Sequence, residues 1–173
     1  MKNYIEKMRR SFSRQTLCVN RTVVLVCAAL CACLGLIFAI GGVDREICGE
    51  IAQPKFYFPT VIMIALHMIF YALLGAAGGI IICTPYYRRG YDKAISLVIS
   101  LCTLFLCFTW IPLVYTARSF FIAFIVCVII LIFSAAVFKM YIKINSVAAF
   151  FLVIFSFFDF YLLCYSLSLF ILN

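Results

Sequence analysis

The sequence predicts an all-α integral membrane protein, a bundle of five transmembrane helices. Three observations carry this. The 173 residues are 68% hydrophobic and 12% charged, more apolar surface than a water-soluble domain of this size can hide. The apolar residues gather in five continuous runs, each close to the ~20 residues that cross a ~30 Å hydrocarbon core. The basic residues then collect in alternate connections. Lys2, Lys7, Arg9, Arg10, Arg14, Arg21, Arg88, Arg89, Lys93, Lys139 and Lys143 fall on one side of five alternating spans, and only Arg45, Lys55 and Arg118 on the other. That asymmetry follows the positive-inside rule, with the N-terminus cytoplasmic and the C-terminus outside. Continuous runs favour helices over a barrel, whose strands alternate.

Residues 1–21 form a basic cytoplasmic segment with Ile5, Met8 and Phe12 at helical spacing, suited to lying on the membrane surface. Its expected partner is a bilayer with anionic headgroups. The basic residues behind the net charge of +8 gather on one side of the spans, the distribution of a membrane protein facing anionic headgroups, which argues against nucleic acid. Residues 22–173 form one membrane domain. Its first helix, about 22–40, contains LCAC (30–33), which loosely resembles a lipoprotein cleavage box. A polar lead-in of 21 residues and a run continuing to Ile40 favour an uncleaved helix. After Gly41 and Gly42 comes the longest connection, VDREICGEIAQPKFYFPT (43–60), with Asp44, Glu46, Glu50 and two prolines. Long connections are more often functional than short ones.

The second helix, about 60–84, carries Gly75 and Gly79 in a GxxxG spacing. This permits close helix approach, either within the bundle or in a homodimer. The third, about 94–115, has Asp92 placed to cap it and Pro112 expected to end or bend it. The fourth spans about 120–140. The fifth, about 147–172, has Asn145 and Ser146 available as caps. Most of the ten cysteines lie inside the apolar runs, where free Cys behaves as a small hydrophobe. With no CxxC and a single His, no metal centre is expected.

Polar and aromatic residues inside spans must be satisfied in the protein interior. Met63, His67 and Tyr71 form one stripe of the second helix; Thr103, Cys107 and Trp110 form one on the third. On the fifth, Phe158, Leu162 and Tyr165 share a face, with Asp159 and Ser166 beside it. If the stripes converge they line an aromatic cavity suited to a flat hydrophobic ligand.

Several of these residues carry a resemblance. TWIPLVY (109–115) followed by Arg118 resembles the W-S-P-L-F-F…R element of the TspO/MBR family, the tryptophan-rich sensory or translocator proteins, also called peripheral-type benzodiazepine receptors. QPKFYFPT (53–60) is similar to that family's K-P-S-F-x-P-P loop, and YALLGAA (71–77) to its Y-x-x-M-G-x-A. KMYIKINSVAA (139–149) resembles its R-x-F-Y-x-x-S-P-x-A-A connection, and the chain ends in Leu172-Asn173 as many members do. The chain departs from the pattern as well. His67, Phe158 and Phe170 stand where the family has tryptophans, Cys107 and Ser166 where it has asparagines, and Val126 where an acidic residue is frequent. No basic residue follows Tyr161 or Tyr165, which puts a sterol motif there in doubt.

The resemblance implies a ligand pocket inside the bundle, capped by the loop between the first two helices. Its wall would hold Pro54, Phe56, Pro59, Met63, His67, Tyr71, Cys107, Trp110, Phe158, Leu162 and Tyr165. It implies binding, transport or sensing of porphyrin or haem, with no cofactor required. Trp110 has two readings, a ligand-facing anchor or an interfacial belt residue. His67 likewise is either a haem or propionate ligand or a neutral interior histidine paired to a neighbour, and the second is the commoner fate. Without a nucleophile–base pair or a phosphate loop, an enzyme is not expected. The alternative is a structural or accessory membrane subunit that has lost ligand binding. The charge pattern fits a bacterial cytoplasmic membrane better than a mitochondrial outer membrane.

Overall fold

The computed structural model describes residues 19–42, 51–85 and 90–173. The expected surface helix, the acidic stretch at Asp44, Glu46 and Glu50, and Arg88 and Arg89 lie outside the described residues. The described residues form five helices: α1 Arg21–Gly42, α2 Thr60–Cys83, α3 Gly90–Tyr115, α4 Phe120–Ile144 and α5 Ser146–Leu172. All five are long and apolar enough to cross a membrane. Large apolar side chains stand exposed around the outside, among them Leu25, Ile69, Phe105, Ile132 and Phe157, as a lipid-facing surface requires.

Going round the bundle, neighbours run α1, α2, α5, α4, α3 and back to α1. The tightest seam, α1 on α2, is made by glycine. A Cβ on Gly75 would sit 2.6 Å from the Cys27 carbonyl oxygen and 2.7 Å from Cys31 Sγ, and one on Gly79 would sit 2.9 Å from Val24 Cα. The GxxxG face is therefore taken up inside the bundle, by α1. Gly35 reciprocates on α1: a Cβ there would run into the ring of Tyr71.

The ends of the helices differ from their expected places for local reasons. Helix α3 starts at Gly90, so Asp92 lies in its first turn instead of capping it, where a carboxylate still complements the helix dipole. Pro112 neither ends nor breaks α3, which runs on to Tyr115. The Pro112 carbonyl accepts from the N–H of Thr116 and of Ala117, and the Leu113 carbonyl from that of Ser119, which turns the chain into α4. Arg118 takes a positive φ of 49° in that turn. Helix α4 continues past Met140 through Lys143 to Ile144, since lysines near a span's end can keep their heads in the headgroup layer.

Asn145 alone joins α4 to α5. Its side-chain oxygen accepts from Val147 N at 2.9 Å, and its amide donates to Thr84 Oγ1 at 3.0 Å. Thr84 in turn donates to the Ile80 carbonyl, and Lys93 donates to the carbonyls of Ile82 and Thr84 at 2.8 and 3.0 Å. One buried amide thus caps α5 and ties it to the end of α2. Asn145→Ala is expected to cost about 1–2 kcal/mol, the usual range for a lost N-cap. Asn145→Asp keeps the cap but loses the donor to Thr84 and places a carboxylate at a fully buried position, so it is expected to cost at least as much as alanine. Unfolding in a mixed-detergent titration would check the ranking; an alanine variant as stable as the parent would overturn it.

The interior divides into two apolar clusters. One, around Leu74, Ile80, Val137, Tyr141 and Leu152, fills the half nearest Asn145. The other, around Met63, Trp110, Val114, Ala123, Leu162 and Leu169, fills the opposite half beneath residues 51–59.

Candidate functional site

Helix periodicity sets the site. Residues four apart share a face, so Met63, His67 and Tyr71 on α2 look inward together, as do Cys107 and Trp110 on α3 and Phe158, Leu162 and Tyr165 on α5; all are buried. The three stripes meet. The His67 ring stacks on Trp110 at a centroid distance of 5.3 Å and meets Phe158 edge-on at 5.0 Å and Tyr71 at 5.7 Å. Phe70 stacks on Phe158 at 4.2 Å.

Trp110 is 1% exposed, so it is an interior residue and not part of an interfacial belt. Its indole Nε1 donates to Ser166 Oγ at 2.9 Å, and its ring lies against Tyr165 and Tyr115. Tyr71 donates to the Cys107 carbonyl at 2.8 Å, so Cys107 contributes its backbone to the site. His67 Nδ1 lies 2.7 Å from the Met63 carbonyl. A carbonyl only accepts, so the proton sits on Nδ1 and Nε2 carries a lone pair. That Nε2, and Asp159 Oδ2 on α5, are buried with no hydrogen-bond partner among the described residues. Buried polar atoms are seldom left so. No group of three or more metal-ligating side chains occurs among the described residues, and all eight cysteines there are free.

The lid is residues 51–59. A turn closes it, with Tyr57 N–H donating to the Pro54 carbonyl at 3.0 Å, and Pro59 leads directly into α2. Helix α5 holds it down. Tyr165 donates to Gln53 Oε1 at 2.7 Å while Tyr57 stacks on the Tyr165 ring at 5.9 Å. Tyr161, one turn away, meets the rings of Phe56 and Phe58, and its hydroxyl donates to the Phe56 carbonyl at 3.4 Å and weakly to Met63 sulfur at 3.7 Å. Asn173 finishes the latch: its Oδ1 accepts from Ala52 N–H at 2.9 Å and its Nδ2 donates to the Ala52 carbonyl at 3.1 Å.

One expectation needs correcting. Among the described residues, the converged stripes line no open cavity. The void among Tyr71, Cys107, Trp110, Phe158, Asp159 and Leu162 measures about 10 Å³, room for one water at most. The rings that were to form the walls fill the space themselves, His67 against Trp110 and Phe70 against Phe158. Phe56 also differs from its expected place: 47% exposed, it covers Tyr161 from outside. Pro54 is buried in the lid, whereas Pro59 is exposed at its edge. Gln53, Tyr115 and Asn173 drew no notice as site residues in the sequence, because each acts through a partner at least fifty residues away: Gln53 and Tyr115 through the Tyr165 hydroxyl, the latter at 3.1 Å, and Asn173 through Ala52.

A family model described as the TspO/MBR family matches residues 23–170. The chain belongs to the TspO/MBR family. Among curated proteins nothing matches it. As a TspO/MBR protein it is an integral membrane protein whose five spans enclose the site just described. Of the three residues expected to stand at family tryptophan positions, His67 and Phe158 lie face to edge in the centre, while Phe170 is on the outside against Phe121.

Proposed function

We propose that this TspO/MBR protein binds a flat hydrophobic ligand, of porphyrin or haem type, between α2, α3 and α5 under the lid, for transport or sensing. The observation that carries the reading is the buried ring cluster of His67, Tyr71, Trp110 and Phe158, which holds an acceptor atom, His67 Nε2, with no partner among the described residues. Aromatic faces suit a planar ligand, and an unpaired buried acceptor gains what a donor or a metal offers it. A void of about 10 Å³ does not hold a tetrapyrrole. Entry therefore requires the lid to lift and the His67 and Phe158 side chains to rotate, a change that lowers affinity by the fraction of time the open form exists. The site performs binding in this reading, not catalysis.

The closed interior also favours a second reading, an accessory membrane subunit with no ligand. Titrating purified protein with protoporphyrin IX separates the two. Binding in the micromolar range that shifts the Soret band and quenches Trp110 is the expected outcome. Absence of binding by a folded protein would establish the accessory reading in its place. His67→Phe removes the acceptor and keeps an aromatic ring; it is expected to hold stability within about 1 kcal/mol, because an unsatisfied buried atom leaves with it, and to weaken porphyrin binding. Unchanged affinity would remove His67 from the ligand contacts.

A further inference from the structure

On the outer surface of the bundle, away from the ring cluster, α1, α2 and α3 leave a groove of about 300 Å³. Cys27 and Cys31 form one wall, Leu97, Leu101 and Leu104 the other, and Gly78 lies between them. Gly75 and Gly79 are pressed against α1, but a Cβ on Gly78 would meet nothing within 4 Å. The glycine run thus does two jobs: two of its members seat a helix and the third keeps a slot open. Along α2 the slot runs from Leu74 to Ile82, eight residues or about 12 Å at 1.5 Å rise per residue.

Dimensions decide what fits. A helix from a second copy is about 10 Å across and could only lie over the slot, not in it. A single extended hydrocarbon chain fits a long, narrow, apolar slot. Charge decides the rest. Ile82, at the end of the groove, has its carbonyl bonded by the Lys93 ammonium at 2.8 Å. Lys93 spends a second donor on the Thr84 carbonyl at 3.0 Å, and its third has no partner among the described residues. An ammonium carries three donors, so among the described residues one N–H of this cation is unpartnered at the groove's rim. Arg21, exposed one turn before Val24, stands at the same end of α1.

The geometry points to a bound anionic phospholipid: one acyl chain lies in the groove over Gly78, and its headgroup, of net negative charge, is held by Lys93 at the end of the bundle that carries the α2–α3 connection. Two terms contribute, burial of apolar chain and attraction of an anionic headgroup to a basic residue near the surface. The site is independent of the ring cluster, so it stands whether or not porphyrin binds.

The test is native mass spectrometry of the full chain released from nanodiscs of mixed phosphatidylglycerol and phosphatidylcholine. The parent protein is expected to retain one phosphatidylglycerol at collision energies that strip other lipids. Gly78→Leu fills the slot and is expected to lower that retention at least about tenfold with an unchanged thermal midpoint, since its Cβ meets open space. Lys93→Gln is expected to abolish the preference for phosphatidylglycerol over phosphatidylcholine, and Lys93→Arg to restore it, which separates charge at the rim from the capping of α2. Equal retention by the Gly78→Leu protein overturns the site, as does equal retention of the two headgroups by the parent. A Gly78→Leu protein that instead changes from dimer to monomer would overturn it in favour of a second copy.

Discussion

Trp110→Ala is expected to be the most costly single substitution in the interior. Truncating a fully buried large aromatic costs about 3–5 kcal/mol, and here the indole also donates to Ser166 Oγ at 2.9 Å and supports the rings of His67, Tyr115 and Tyr165. Ser166 keeps a weak contact with Cys127 Sγ at 3.8 Å, so its hydroxyl is not wholly stranded. Trp110→Phe isolates the hydrogen bond from the ring and should cost nearer 1 kcal/mol for that bond plus a smaller volume loss. The void should grow from about 10 Å³ to on the order of 100–150 Å³, a size at which an apolar cavity takes up benzene. Added indole should then raise the thermal midpoint of Trp110→Ala and leave the parent unmoved. If indole fails to rescue the variant, the ring cluster has collapsed into the space, and the interior is more plastic than its stacked geometry indicates.

The second large effect is expected at the seam of α1 and α2. Gly75→Leu places its Cβ 2.6 Å from the carbonyl oxygen of Cys27, and backbone of a neighbouring helix cannot step aside as a side-chain tip can. The helices must part, at a cost at the upper end of or beyond the ~1–3 kcal/mol typical of overpacking. Gly78→Leu, three residues on and chemically identical, should cost little. Thermal unfolding of the two variants side by side gives the contrast. Reactivity of Cys31 toward a membrane-permeant maleimide should rise in Gly75→Leu alone, because α1, which carries Cys31, has moved off α2. Equal stability of the two variants would mean that α1 seats on α2 by some other surface.

The fold was legible because its strongest signal is physical and local: a run of apolar residues long enough to cross a bilayer is visible in composition without any knowledge of its neighbours. Inward stripes followed from helical periodicity, and those on α2, α3 and α5 do face one another. What periodicity cannot supply is how far apart the facing rings stand. A cavity and a filled core have the same sequence pattern, and the difference here lies in the His67–Trp110 and Phe70–Phe158 stacks. Gly35 shows the same limit. Nothing in its local sequence tells that the Tyr71 ring occupies the space a side chain would need. Asn145 was legible as a helix cap, yet its second bond, to Thr84 sixty-one residues away, depends on where α2 ends.

The bond between Trp110 and Ser166 has a consequence for how the bundle is assembled. The chain holds one tryptophan, on α3, and its indole proton goes to α5. Until the fifth helix docks, that indole has neither its acceptor nor the Tyr165 ring beside it. The emission of the single tryptophan therefore reports its packing, against His67 of α2 on one side and against Ser166 and Tyr165 of α5 on the other. The α5 contacts mark the completion of the bundle after membrane insertion. A hairpin of α1 and α2, closed by glycines, involves neither Trp110 nor α5 and would pass unseen. Time-resolved emission during refolding from detergent into vesicles would thus report the arrival of α5 as a step of its own, without any label.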